Sequence, residues 1–322
     1  MHHNISLWHL TIKTITLIIL SGASFISYNY NCEGLQMVLA SNFEKYLRIY
    51  SCFYNRSYIL DFINKKNNKI KEALVASDEN TNILECIQNY TYAEFFDVIY
   101  KAFKNSYKCE YYYLNEIFIN EILKNHDAEH SVLTELCVNK SQADLVVING
   151  TTTIYEIKTE LDNLSRLSGQ LNDYVQVFDK VYVVTYRELI DKLTILLDSD
   201  RKYSQVGIYI LNDECKLELQ KSSGSHLEFL NKQLMFEALT RREFECLDKN
   251  YEKAKSIFAN YSIEDAHEYF RNSLFHRGKD IDYISALPDS LKLVGYKLQN
   301  KLTIKQKNKL YNKLNTIIGE DF

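Results

Sequence analysis

Leu145 to Ile148 is an unbroken apolar run ending at Asn149-Gly150, the pattern of a buried strand that closes in a turn. Beyond the turn, apolar and polar residues alternate through Ile154–Ile157, so a second strand is expected. Glu156 and Lys158 would share one of its faces, with Tyr155 and Ile157 on the other. The runs at 134–138 and 181–184 read as two more strands. A helix over about 112–124 precedes them, and Asp162 is placed to cap another, whose buried stripe is Leu164, Leu167, Leu171, Val175 and Phe178. The resulting order is helix, three strands, helix, strand.

The flanks are helical by the same reasoning. Amphipathic pieces fall at 41–52, 56–76 and 92–104, and a further helix at 186–198. Strands at 206–211 and 215–220, separated by Asn212-Asp213, extend the sheet. Four or five helices are expected from Ser225 onward, one of them presenting Arg241-Arg242, and a last helix spans 291–314. The organisation is therefore an apolar leader or spurious extension (1–36), a helical N-terminal region (37–108), an α/β core (109–220) and a helical C-terminal region (221–322).

The hairpin carries a parity condition. A two-residue turn would pair Ile148 with Thr151 and set Asp144 opposite Tyr155, away from Glu156. Asp144 joins Glu156 and Lys158 only across an odd connection, such as a three-residue loop with Gly150 left-handed or a bulge. That odd connection is the expectation. Two acids and a lysine on neighbouring strands could hold a divalent cation against a phosphodiester. Read alone, Glu-x-Lys on an amphipathic strand is more often a solvated face.

Composition narrows the partners. Net charge is −4, so any nucleic-acid affinity must come from local patches rather than from the whole molecule. Candidates are the basic run at 64–71 and the lysines of the last helix, of which Lys297, Lys301 and Lys305 recur at i,i+4; the blander reading is a solvated amphipathic helix. Seven cysteines at scattered positions, with no C-x-x-C pair, argue for reduced thiols and against a zinc ribbon. No nucleotide-binding glycine loop occurs, and no nucleotide cofactor is expected. Residues 14–26 form a short apolar run behind a single lysine, Lys13. A cytoplasmic chain is expected, with either an apolar leader or a start at Met37, and membrane association through 14–26 is the alternative.

With Asp144, Glu156-Ile157-Lys158 and Gln170…Tyr174 in this order, the segment 110–184 resembles the PD-(D/E)XK nuclease superfamily, in particular its RecB-like and Holliday-junction-resolvase-like members. It is also similar to an uncharacterised bacterial group within that superfamily. Ala143 stands where the eponymous proline would be. The resemblance implies a restriction-endonuclease-like αβββαβ core with a mixed central sheet, and a Mg²⁺- or Mn²⁺-dependent nuclease acting on DNA, with RNA as the alternative. Repair, restriction or defence is the implied setting. Asp144, Glu156 and the Ile157 carbonyl would be the metal ligands, and a first-helix glutamate, Glu116 ahead of Glu121 or Glu135, would complete the set. Lys158 would assist the chemistry, and Gln170, Tyr174 and Arg166 would position it. For Arg166 a simple i,i+4 pair with Asp162 is the favoured reading. A second copy of the chain or a protein partner is also expected. The competing reading is a nuclease-fold protein that binds without cutting.

Overall fold

The computed structural model describes residues 44–66, 68–123, 130–212, 216–277, 284, 286–298 and 301–322. The chain begins with helices α1 (Glu44–Ser51), α2 (Arg56–Asn64), α3 (Lys69–Thr81), α4 (Ile83–Ile87) and α5 (Tyr92–Ser106). The single amphipathic stretch expected over 56–76 is two helices. Asn68 divides it by accepting the Lys71 amide as an N-cap, while Asp61 accepts the Lys69 amide. A reciprocal box between Thr91 and Glu94 opens α5. Helix α6 (Glu110–Ile117) then runs into a π-helical turn, Phe118–Leu123, which contains Glu121.

The sheet follows: β1 (His130–Val138), β2 (Ser141–Asn149) and β3 (Thr151–Ile157), then α7 (Leu167–Tyr174), β4 (Lys180–Thr185), α8 (Ile190–Asp198), β5 (Gly207–Leu211) and β6 (Leu217–Lys221). All six strands lie in sequence order in one mixed sheet, flanked by helices on both faces. Strand β2 runs antiparallel to both β1 and β3, β3, β4 and β5 run parallel, and β6 returns antiparallel to β5. Parallel neighbours need a crossover, and α7 and α8 supply it. The remaining helices are α9 (Lys232–Glu237), α10 (Arg241–Phe244), α11 (Tyr251–Ala259), α12 (Ile263–Arg277), α13 (Lys292–Leu298), α14 (Ile304–Leu314) and α15 (Ile318–Asp321).

Alternation along the strands feeds two cores. Leu145, Val147 and Ile157 enter the first, with α1 to α6; Val146, Ile148, Ile154 and Val183 enter the second, with α7, α8, α9, α11 and α12. Each fully buried Leu, Ile or Phe contributes about 1.5–3 kcal/mol by leaving water, so both faces are strongly committed. The C-terminal region is not one unit. Helices α9 to α12 cover the second face, whereas α13 to α15 return to the N-terminal helices, where Ile318 donates its amide to the Tyr90 carbonyl at 2.8 Å.

The single helix expected over 291–314 is also two. Thr303 and Gln306 form a capping box that starts α14 afresh. Lys297 therefore sits on α13, Lys301 between the helices and Lys305 in the first turn of α14, so the three do not share a helical face. Among the described residues no helix is long and apolar enough to cross a membrane. Residues 1–36, with the run at 14–26, lie outside the described residues, as do Asp213, Cys32 and Cys215. Cys52, Cys86, Cys109, Cys137 and Cys246 are free thiols.

Candidate active site

The hairpin connection is odd. Ile148 pairs with Thr152 and Asn149 with Thr151, leaving Gly150 alone at the tip with φ +67. One step beyond the last pair, Leu145 with Tyr155, Asp144 falls level with Glu156. The strands also change face here. Leu133 and Leu136 of β1 both enter the second core, as do Ala143 and Val146 of β2, so strict alternation breaks at Glu135 and at Asp144. At Glu135 the backbone itself is left-handed, with φ +58. Such a break re-aims a side chain at the end of a pairing.

Glu156 and Lys158 point into this level from β3 and just beyond it, only 1% and 7% exposed. Glu156 is held from three directions. Lys158 Nζ donates to Oε1 at 2.6 Å, Gln170 Nε2 donates to the same oxygen at 2.6 Å, and the Tyr174 hydroxyl lies 2.9 Å from Oε2. That hydroxyl also lies 2.8 Å from the Gln142 carbonyl oxygen, so its one proton bridges β2 and β3. Gln170 and Tyr174 reach the same carboxylate because they are one turn apart on α7. The backbone of the site is pinned as well: Lys158 donates its amide to the Val184 carbonyl, and Thr185 Oγ1 donates to the Lys158 carbonyl. Asp144 Oδ2 accepts the Ile157 amide at 2.8 Å, a direct link between β2 and β3. The Ile157 side chain itself is in the first core.

A cleft of about 730 Å³ opens onto this level, lined among others by Glu110, Asp144, Arg166, Gln170 and Lys140. Burial pushes the Asp144 carboxyl well above the usual carboxylate range, and the charges of Glu156 and Glu110 push it further. Burial raises Glu156 too, against the opposing pull of Lys158. Glu110 sits exposed at the rim by its surface area, yet crowding around its carboxyl raises it as well, with Lys297 pulling the other way. Buried carboxylates that raise one another hold protons or cations tightly. Gln170 Oε1 is buried beside them without a hydrogen-bond partner among the described residues. Such an atom is costly unless something supplies a positive partner.

Three expected placements are different in the structure. Glu116 is not at this level: it accepts the Tyr100 hydroxyl at 2.8 Å and Asn120 Nδ2 at 3.0 Å, in a separate cleft with Lys101 and Lys104. The reason is helical phase. Glu116 shares the stripe of Tyr112 and Asn120, whereas Glu110, at the start of the helix, lies on the stripe of Tyr113, Leu114 and Ile117, and it is this second stripe whose first turn reaches the Asp144 cleft. Arg166 does not pair with Asp162. Asp162 turns back to accept the amide and hydroxyl of Thr159, Asn163 rather than Asp162 caps the 3₁₀ turn Leu164–Arg166, and Arg166 stays on the cleft wall. Finally, Lys297 is tied to Glu135 at 2.9 Å, while Lys301 and Lys305 remain exposed.

A family model described as Bacteriophage P4 protein cII matches residues 103–285, more than half of the chain. The chain belongs to the bacteriophage P4 protein cII family. Protein cII of Enterobacteria phage P4 is 31% identical over 75 residues, which is 23% of this chain and 28% of that protein. The alignment thus spans under a third of that relative's length. No solved structure matches the chain. The family segment runs from the end of α5 past α12, so Glu110, Asp144, Glu156, Lys158, Gln170 and Tyr174 all lie within it.

Proposed function

We propose that this protein is a metal-dependent nuclease that hydrolyses phosphodiester bonds in DNA, built on a restriction-endonuclease-like core. The observation that carries the reading is the convergence of Asp144, Glu156 and Lys158 at one end of β2 and β3, with Gln170 and Tyr174 of the following helix locked onto Glu156. The order α6, three antiparallel strands, α7 and a parallel strand supports the same core.

A hard divalent cation fits this donor set. The acids offer carboxylate oxygens, the Ile157 carbonyl is a further oxygen, and Gln170 Oε1 lacks a partner. When bound, Mg²⁺ or Mn²⁺ would supply Lewis-acid polarisation of the phosphate and a more acidic water. The chain's own residues do the rest. Asp144 and Glu156, whose burial favours their neutral forms, would ionise to hold the cation and offer it their carboxylate oxygens. Tyr174 and Gln170 fix the Glu156 plane, so that the carboxylate is pre-set rather than recruited. Lys158, buried beside it, stabilises charge that builds on the phosphate oxygens as the bond to the leaving 3′ oxygen lengthens. Glu110 adds negative potential at the mouth.

One observation favours the alternative, binding without cleavage. Among the described residues no group of three or more His, Cys, Asp or Glu side chains is placed to enclose a metal, and Lys158 Nζ already occupies one Glu156 oxygen. The two readings separate in a single assay. The full chain is incubated with linear, nicked, single-stranded and branched DNA, and with RNA, in Mg²⁺ or Mn²⁺, beside Asp144→Ala and Lys158→Ala. Cleavage that falls on the order of 10²–10³-fold in both variants is expected. An inert wild type that still shifts DNA on a gel establishes the binding reading. Cleavage that survives both substitutions sinks the site.

A further inference from the structure

A second cleft, of about 850 Å³, lies in the helical layer over the other core, between α10 and α12. Its walls hold Arg241, Arg242, Arg277 and His276 against a single acid, Glu243. That acid is already spent. Arg277 Nε donates to its Oε1 at 2.8 Å, and its Oε2 takes both Arg277 Nη2 and the Thr240 amide. Arg277 is fixed further by the Ala238 carbonyl, which leaves Nη1 unpaired among the described residues. Arg241 turns outward to Glu245. Arg242 and the His276 ring nitrogens have no hydrogen-bond or ion-pair partner among the described residues. The cleft therefore presents a pre-set guanidinium edge, a second unpaired guanidinium, an imidazole and the Ser273 hydroxyl, with charge left over.

The geometry points to a phosphate-binding site here, one that takes a phosphate group carried on a nucleotide or on a nucleic-acid strand. Guanidinium forks match phosphate oxygens two at a time, and an Arg already held by a half-buried carboxylate loses little freedom on binding. The cleft is far larger than one phosphate, so a nucleoside attached to it has room beside Tyr269. None of its residues belongs to the Asp144 level, and this inference does not rest on the nuclease reading.

The test uses the full chain in EDTA, which keeps any cation chemistry out of the measurement. Inorganic pyrophosphate, adenosine monophosphate and a single-stranded twelve-nucleotide DNA are titrated by calorimetry at two salt concentrations, with wild type, Arg242→Glu and His276→Gln. Arg242 is exposed and unpaired, so both variants are expected to keep the wild-type circular dichroism and melting temperature. Binding of at least one probe is expected, weakened at least about tenfold by Arg242→Glu, and less by His276→Gln. Affinity confined to the oligonucleotide, with a steep salt slope, assigns the phosphate to a strand; comparable affinity for the mononucleotide assigns it to a free nucleotide. Failure of all three probes to bind below about 1 mM, or equal binding by wild type and Arg242→Glu, overturns the proposal.

Discussion

Asp144 and Glu156 are ionised in their fold only against resistance, because burial and mutual repulsion both favour the neutral acids. Their folded-state pKa values lie above the unfolded ones, so the folded chain binds these protons more tightly. The stability this contributes is fully present below the ordinary carboxylate range and is lost as pH rises through the raised values. Asp144→Asn removes one repelling charge. In EDTA its melting temperature is expected to exceed that of wild type at pH 7.5, by on the order of 1 kcal/mol or about 2–4 °C, with the gap closing as the pH drops to 4. Addition of Mn²⁺ at pH 7.5 is expected to raise the wild-type midpoint and leave the variant nearly unmoved. A gap that ignores pH would mean the two acids do not sense each other. Tyr174→Phe acts at the same spot with the opposite sign. Removing the hydroxyl that bridges Gln142 and Glu156 leaves a buried carboxylate short of a donor, and a loss of about 1–3 kcal/mol in urea denaturation is expected.

The hairpin that sets Asp144 beside Glu156 depends on one glycine. A Cβ on Gly150 would meet nothing within 4 Å, so Gly150→Ala costs only the left-handed backbone, about 1–2 kcal/mol, and Gly150→Asn less. If both variants lose the same stability, packing rather than φ governs the tip. This element was legible in the sequence because its determinants are local: the unbroken run Leu145–Ile148 before Asn149-Gly150 marks a buried strand, the alternation around Ile154–Ile157 sets the faces of the next, and the odd connection follows once Asp144 is required beside Glu156. Other determinants were legible but outvoted. Thr303 and Gln306 stand at capping-box spacing within an otherwise continuous Leu/Lys pattern, and the box divides α13 from α14. The displacement of Glu116 by Glu110 was harder to see. Both lie on α6, and which stripe faces the strand ends depends on how α6 packs against the sheet, a long-range contact that spacing alone does not encode. Arg166 and Asp162 show the same limit, since a local turn bond to Thr159 outcompeted the i,i+4 pair.

At the scale of the whole molecule, the first core contains residues from both ends of the described chain and from the sheet between them. Leu310 and Leu314 of α14 and Ile318 of α15 are buried among the N-terminal helices, and the bridge between Thr91 and Ile317 ties the segments by backbone. The same core packs under Leu145 and Ile157, the immediate neighbours of Asp144 and of Glu156 and Lys158. The level of the candidate site is therefore supported from below by a core to which the last helices contribute. Leu314→Ala leaves a cavity there and is expected to cost about 2–5 kcal/mol in urea, whereas Ile304→Ala, at a position 78% exposed on the same helix, should stay within about 0.5 kcal/mol. The shape of the transition tells more than its midpoint. If the sheet couples the two cores, Leu314→Ala shifts one cooperative transition, and tyrosine fluorescence and far-ultraviolet circular dichroism move together with an unchanged m-value. If the first core instead melts ahead of the second, the probes separate. The site would then lose its support at denaturant concentrations where the helices over the second core are still folded, and DNA cleavage or binding should disappear with the first of the two transitions.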